Sequence, residues 1–156
     1  MQLNIWFTLI LGHLLGDYVL QNKWMAETKK QKSFDGFLAC FIHCIIYTSI
    51  VIITLSFSNQ FISIYAAHAN YRILFIVLFV LIFLSHYVID RTHFVEWYAN
   101  IMGIRVWNSD INLDNYDMES FTKLETIRLS FGTFVYIVLD NTLHLLLMTI
   151  ILSFLL

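Results

Sequence analysis

The chain has no proline, only five glycines and only two cysteines. Without proline, nothing forces a break or kink in its long apolar runs. The two cysteines, Cys40 and Cys44, exclude a disulfide-stapled scaffold. They lie four residues apart on one predicted helix, where the geometry of a bridge is poor. They read as buried thiols acting as small hydrophobes, with Cys44, next to His43, as an alternative soft metal ligand. Charge is scarce as well, at 13% of residues and a net −2, and no basic stretch is rich enough for nucleic acid.

What the chain has is apolar surface. Of its 156 residues 59% are apolar, and the mean hydropathy of +0.72 lies outside the soluble globular range. The composition points to an all-α integral membrane protein, with residues 1–156 forming a single transmembrane domain. The first apolar stretch lacks a basic leading segment and a small-residue cleavage site, so it reads as a permanent helix rather than a removable leader.

Four segments are expected to span, at about 3–21, 34–57, 71–95 and 127–156. Each offers roughly 20 residues or more, about 30 Å of helix, which matches a bilayer core. The linker 22–33 is short and charged, and 58–70 is polar without charge. The third, 99–124, is longer and acidic, with Met102, Ile104, Val106 and Trp107 expected at the interface. Lys23, Lys29, Lys30 and Lys32 fall in the first linker, and Arg91, Arg105, Lys123 and Arg128 fall in or beside the third. Arg72 alone lies on the other side. That asymmetry predicts cytoplasmic first and third linkers and both termini outside, with Trp24, Trp97 and Tyr98 in the cytoplasmic aromatic belt.

Three times a histidine and an aspartate stand four residues apart inside such a segment: His13/Asp17, His86/Asp90 and Asp140/His144. His43 is a further intramembrane histidine. Four residues is about one helical turn, so each pair projects from one helix face. An Asp at a helix centre costs roughly 3 kcal/mol on insertion scales, against a gain of about 0.3–0.6 for each Leu, Ile, Phe or Val. Three such acids are tolerable only if they meet one another, a metal or water. With alternating helix directions, all of these groups fall at similar depth in the cytoplasmic half, which predicts one site opening toward the cytoplasm.

Imidazole and carboxylate are the usual ligands of zinc, with manganese or iron as alternatives. Four histidines and three aspartates exceed the three protein ligands that a catalytic zinc requires. The surplus points to two ions, or to one ion with carboxylates as orienting groups and general base. The expected metal ligands are His13, Asp17, His43, His86, Asp90, Asp140 and His144. The expected catalytic carboxylates are Asp17, Asp90 and Asp140, with Asp17, nearest the mouth, as the base. Two other readings use the same residues. A proton- or cation-coupled transporter or channel would employ them as a pathway. A non-catalytic membrane interaction protein, or a small phage or defence membrane factor, would use the pairs to fix helix register.

Neighbouring residues carry weaker signals. Gln21 continues the His13/Asp17 face by a further turn and is a candidate for substrate binding. Gly12 and Gly16 form a small-xxx-small pair, read as a close helix contact within the chain or in a homodimer. Tyr47 and Tyr136 lie one turn from His43 and Asp140, so either phenol is a candidate donor into the site, with ordinary packing as the simpler account. Arg91, His93 and Glu96 read as a solvated rim. Lys29, Lys30 and Lys32 suit an anionic substrate or lipid headgroups, although orientation already explains them.

The strings LGHLLGDYVLQ at 11–21, FIHC around His43, LSHYVID at 84–90 and LDNTLH at 139–144 resemble a family of small bacterial and phage membrane proteins, domain of unknown function 3307. The resemblance covers nearly the whole chain. It implies a four-helix bundle with a shared polar site, in a bacterial inner membrane. Relatives often carry a second histidine one turn before the one matching His43, where this chain has Ala39, and glutamine where it has Asn141. A looser similarity of design, by analogy alone, links it to membrane-embedded metal hydrolases that cleave lipid amides or phosphoesters. The family resemblance supplies no activity; from the His/Asp set and its shared depth, the expected function is metal-dependent hydrolysis of a lipid or an amphipathic phosphorylated substrate from the cytoplasmic side.

Overall fold

The computed structural model describes residues 3–103 and 123–155, and for 123–129 the backbone alone. The described residues are helical, without strands: α1 (Ile5–Leu14) continuing into a π-helical turn (Leu15–Val19), α2 (Lys23–Thr28), α3 (Phe34–Leu55), α4 (Asn59–Ala67), α5 (Tyr71–Arg91), α6 (Phe94–Ile101) and α7 (Lys123–Leu155). Local sequence sets several of the starts. Asn4, Asn22, Ser33 and Ser58 cap α1, α2, α3 and α4, each side chain accepting from a backbone N–H of the first turn.

Among the described residues, three helices are long and apolar enough to cross a membrane: Phe34–Leu55, Tyr71–Arg91 and Ser130–Leu155. The first apolar helix, Ile5–Val19, is shorter. At 1.5 Å per residue it reaches roughly 22 Å, so it does not match the full span expected over 3–21. The third segment also ends earlier than expected. α5 stops at Arg91 because Thr92 is extended, at φ −109° and ψ 172°, with its hydroxyl turned back onto Val88 O at 2.6 Å. Expectations for Ile104, Arg105, Val106 and Trp107 lie outside the described residues.

The chain divides into two compact units, Met1–Thr92 with His144–Leu156, and His93–Leu143. In the first, Ile5 and Leu9 of α1, Val51 and Leu55 of α3, Leu78 and Ile82 of α5, and Met148 and Leu152 of α7 form one apolar core, joined by Tyr47 and Phe61. The core residues precede the polar ones on α1 and α5 and follow them on α3 and α7. Neighbouring helices therefore run in opposite directions, and the histidines share one end of the core. The outward faces carry Trp6, Phe7 and Ile10, Phe41 and Ile53, and Ile73, Ile76 and Leu84. Polar groups inside and apolar groups outside is the distribution a hydrocarbon solvent imposes. In the second unit, Val95 and Ala99 of α6 are buried, and Tyr136 donates to Glu96 at 3.5 Å.

Gly12 and Gly16 are buried against α3. A Cβ on Gly12 would run into Thr54 Oγ1 and lie 2.9 Å from Val51 Cα, and one on Gly16 would lie 2.6 Å from the Tyr47 ring. Their face, considered above for a homodimer, is thus covered by α3 of the same chain. Gly12→Ala is expected to destabilise the fold by about 1–3 kcal/mol through overpacking against backbone. Equilibrium unfolding in detergent micelles would measure it, and unchanged stability would show that the close approach is not needed.

Candidate functional site

The cluster is best built from Asp17. The π turn widens the backbone at the point where this aspartate leaves the helix, a distortion that frequently accompanies functional positions. One carboxylate oxygen, Oδ2, faces His13 Nδ1 at 3.3 Å, so the i,i+4 contact survives the wider turn. The other, Oδ1, lies 3.2 Å from His43 Nε2 and 3.4 Å from His86 Nε2. Asp90 approaches the same two nitrogens, with its Oδ2 at 3.1 Å from His43 Nε2 and 3.2 Å from His86 Nε2. The two Nε2 atoms are 3.0 Å apart. His144 completes the group, its Nδ1 3.1 Å from His86 Nδ1 and its Nε2 3.7 Å from Asp90 Oδ1.

Four elements thus deliver six polar side chains to one place: α1 with its π turn, α3, α5 and α7. His13, His43, His86 and His144 are all buried, and the Asp17 and Asp90 side chains are 12% and 5% exposed. Two ligand groups stand out among the described residues, His43/His86/Asp90 and Asp17/His86/His144. Asp140 belongs to neither. It is half-buried on α7, one turn before His144, and falls within the second unit.

Proton counting separates this arrangement from ordinary packing. Each neutral imidazole carries one N–H. Around His43 Nε2 and His86 Nε2, two nitrogens and two carboxylate oxygens converge within 3.0–3.4 Å. No distribution of two protons satisfies all of those contacts. Asp17 Oδ1 and His43 Nδ1 are buried and lack a hydrogen bond of good geometry among the described residues. A cation held by His43 Nε2, His86 Nε2 and Asp90 Oδ2 would remove the conflict, since each of these three atoms could face it with a lone pair. The edges of a tetrahedral zinc site with bonds of about 2.0–2.1 Å are roughly 3.3–3.4 Å. The His43/His86/Asp90 triangle, with edges of 3.0, 3.1 and 3.2 Å, is close to that size.

Three surrounding residues hold the cluster. The Tyr47 ring stacks on His86 at 3.5 Å between centroids and 14° between planes. Its hydroxyl donates to Met148 Sδ at 3.2 Å, so His13 donates to it from Nδ1, at 2.9 Å. Lys29 Nζ donates to Asp90 Oδ2 at 2.8 Å. Gln21, its amide oriented by its neighbours, donates to Asp17 O at 3.0 Å and accepts from Lys29 Nζ at 2.9 Å. The sequence offers Tyr47 as a donor or a packing residue and Lys29 as an orientation signal or an anion contact, without pairing either with His13 or Asp90. The signal for Lys29 was the charge imbalance of two buried carboxylates; nothing in the one-turn spacing indicated which of the lysines would answer it. Arg91, expected in a solvated rim, is half-buried and tied to backbone. Its Nη1 donates to Lys29 O at 2.8 Å and Gln31 O at 2.5 Å, holding the first linker to the end of α5. Tyr136 donates to Glu96, in the second unit.

Tyr47→Phe keeps the ring on His86 and deletes the hydroxyl between His13 and Met148. It is expected to lower stability by about 0.5–1.5 kcal/mol, whereas Tyr47→Ala, which also removes the buried ring, should cost about 3–5 kcal/mol. Thermal unfolding of both variants in one detergent compares them; equal losses would mean that the hydroxyl, and not the stacking, holds the cluster.

No curated protein and no solved structure matches the chain. One family does match, over residues 5–156. The chain belongs to the family described as "Protein of unknown function (DUF3307)".

Proposed function

We propose that this protein is an integral membrane metal-dependent hydrolase, folded as a four-helix bundle with both termini outside and its site on the cytoplasmic side of a bacterial inner membrane. The orientation rests on the asymmetry of basic residues between the linkers. The chemistry rests on one observation above the rest: two imidazole nitrogens and two carboxylate oxygens, all enclosed, converge within 3.0–3.4 Å with too few protons to share.

The geometry favours a division of roles. His43, His86 and Asp90 supply the tightest triangle and act as the three protein ligands, leaving the open position that catalytic zinc sites keep. Manganese or iron would accept the same donors. Asp17 Oδ1 reaches the same two nitrogens, and its side chain is more exposed than that of Asp90, which suits a general base facing incoming water. His13, fixed by Tyr47, holds Asp17 through Oδ2. With His86 binding through Nε2, its proton would sit on Nδ1 and be donated to His144 Nδ1, 3.1 Å away, the usual task of a partner behind a ligating histidine. When bound, the ion would lower the pKa of its water toward about 7 and polarise a carbonyl or phosphoryl oxygen. A lipid or an amphipathic phosphorylated molecule is the substrate class that a membrane-level site on the basic side would meet.

A proton or cation pathway is the competing reading, supported by the row of imidazole contacts from His144 through His86 to His43. Against it stands the core beyond the cluster, from Leu9 and Val51 to Leu55, Leu78 and Leu152, where among the described residues no histidine or carboxylate continues the row and the Thr8 and Thr54 hydroxyls are bonded to carbonyls of their own helices.

Elemental analysis of protein purified without chelators is expected to find about one equivalent of zinc or a similar divalent metal. His43→Ala and His86→Ala should lose it. His13→Ala and His144→Ala should keep it with about 10–100-fold lower affinity. A folded wild type without stoichiometric metal would end the hydrolase proposal. In proteoliposomes carrying a pH-sensitive dye, the wild type should give no proton flux above empty vesicles; a flux lost in His86→Ala would favour the pathway instead. Asp17→Asn should retain metal while losing turnover on a panel of lipid amides and phosphoesters, and loss of metal in this variant would make Asp17 a ligand rather than the base.

A further inference from the structure

Lys29 is placed where a linker lysine has no need to be. It follows α2, and its side chain, only 15% exposed, reaches across to α5 to meet Asp90 Oδ2 at 2.8 Å. That oxygen is the one that completes the tight triangle with His43 Nε2 and His86 Nε2. Ammonium and metal ion would therefore address the same carboxylate oxygen.

Charge counting makes the two occupants alternatives. The cluster holds two carboxylates, Asp17 and Asp90, and Lys29 answers one of them. A divalent ion answers both by itself. Ion and ammonium together would leave a surplus positive charge in an enclosed site, where repulsion between like charges is weakly screened. The lysine also has a second partner besides Asp90. Its Nζ is shared with the Gln21 amide oxygen at the polar end of the π turn, and the strap that carries it is held by Arg91 through the Lys29 and Gln31 carbonyls.

We infer that Lys29 is an internal counter-cation that occupies Asp90 when the site holds no metal and gives way to a divalent ion, so that the α2 strap regulates loading of the site. The inference rests on the metal-site reading above. Arg91 is a positioning residue in this device, since it holds the strap and meets no ligand atom of the cluster among the described residues.

The test uses detergent-purified full-length protein and Zn2+ as the probe. In the wild type, acetylation of Lys29, followed by mass spectrometry, should become several-fold faster at saturating Zn2+, with the largely exposed Lys23 as the unchanged reference. Competition against a chromophoric zinc indicator should show Lys29→Met binding at least tenfold tighter and Arg91→Gln binding severalfold tighter than wild type. Unchanged Lys29 reactivity overturns the inference, as does equal or weaker binding by folded variants, which would make Lys29 an orienting partner of Asp90. The wild-type labelling decides the matter if either variant fails to fold. If the wild type binds no divalent cation at all, the metal-site reading fails instead, and the two failures are told apart.

Discussion

Two carboxylates enclosed among apolar helices are the constraint from which the rest of the structure follows. An ionised aspartate away from water has to be answered by charge or by donors, and leaving one unanswered costs several kcal/mol. Asp17 and Asp90 are answered by four imidazoles and one lysine drawn from α1, the α2 strap, α3, α5 and α7. Each helix is thereby committed to one rotation about its axis and one depth relative to its neighbours. The apolar packing at the other end of the same helices, from Leu9 to Leu152, is compatible with many small shifts; the polar contacts are not.

The supporting groups show how such a cluster is kept from collapsing into a tangle of alternative hydrogen bonds. Tyr47 carries two duties on one side chain, stacking on His86 and fixing His13. Its own proton goes to a methionine sulfur, a weak acceptor that does not compete with the site. Gly12 and Gly16 let α1 approach α3 closely enough for His13 to reach Tyr47. Small residues on one helix and a tyrosine on the next are therefore parts of the same device as the ligand groups.

Much of the site was legible in the sequence because helical spacing is a strong rule. His13/Asp17 and His86/Asp90 had to share helix faces, and both pairs meet in the cluster with His43 and His144. Asp140 shows where spacing stops helping. It stands one turn from His144 by the same rule, yet neither ligand group includes it. The sequence also did not announce the π turn at Leu15–Val19, since no residue type there demands an extra residue per turn. Nor did it reveal the early end of α5 at Arg91, where hydropathy alone continued the helix to Val95.

By itself the sequence determined the helical, apolar character of the chain and the faces on which its acids and histidines stand. Both follow from local rules of composition and periodicity. Tertiary structure alone decided which lysine neutralises Asp90, which tyrosine orients His13, and that Arg91 ties a linker to the end of α5. Those pairings join residues 34 to 62 positions apart. They depend on helix rotation and depth, which are properties of the packed molecule and of no single segment.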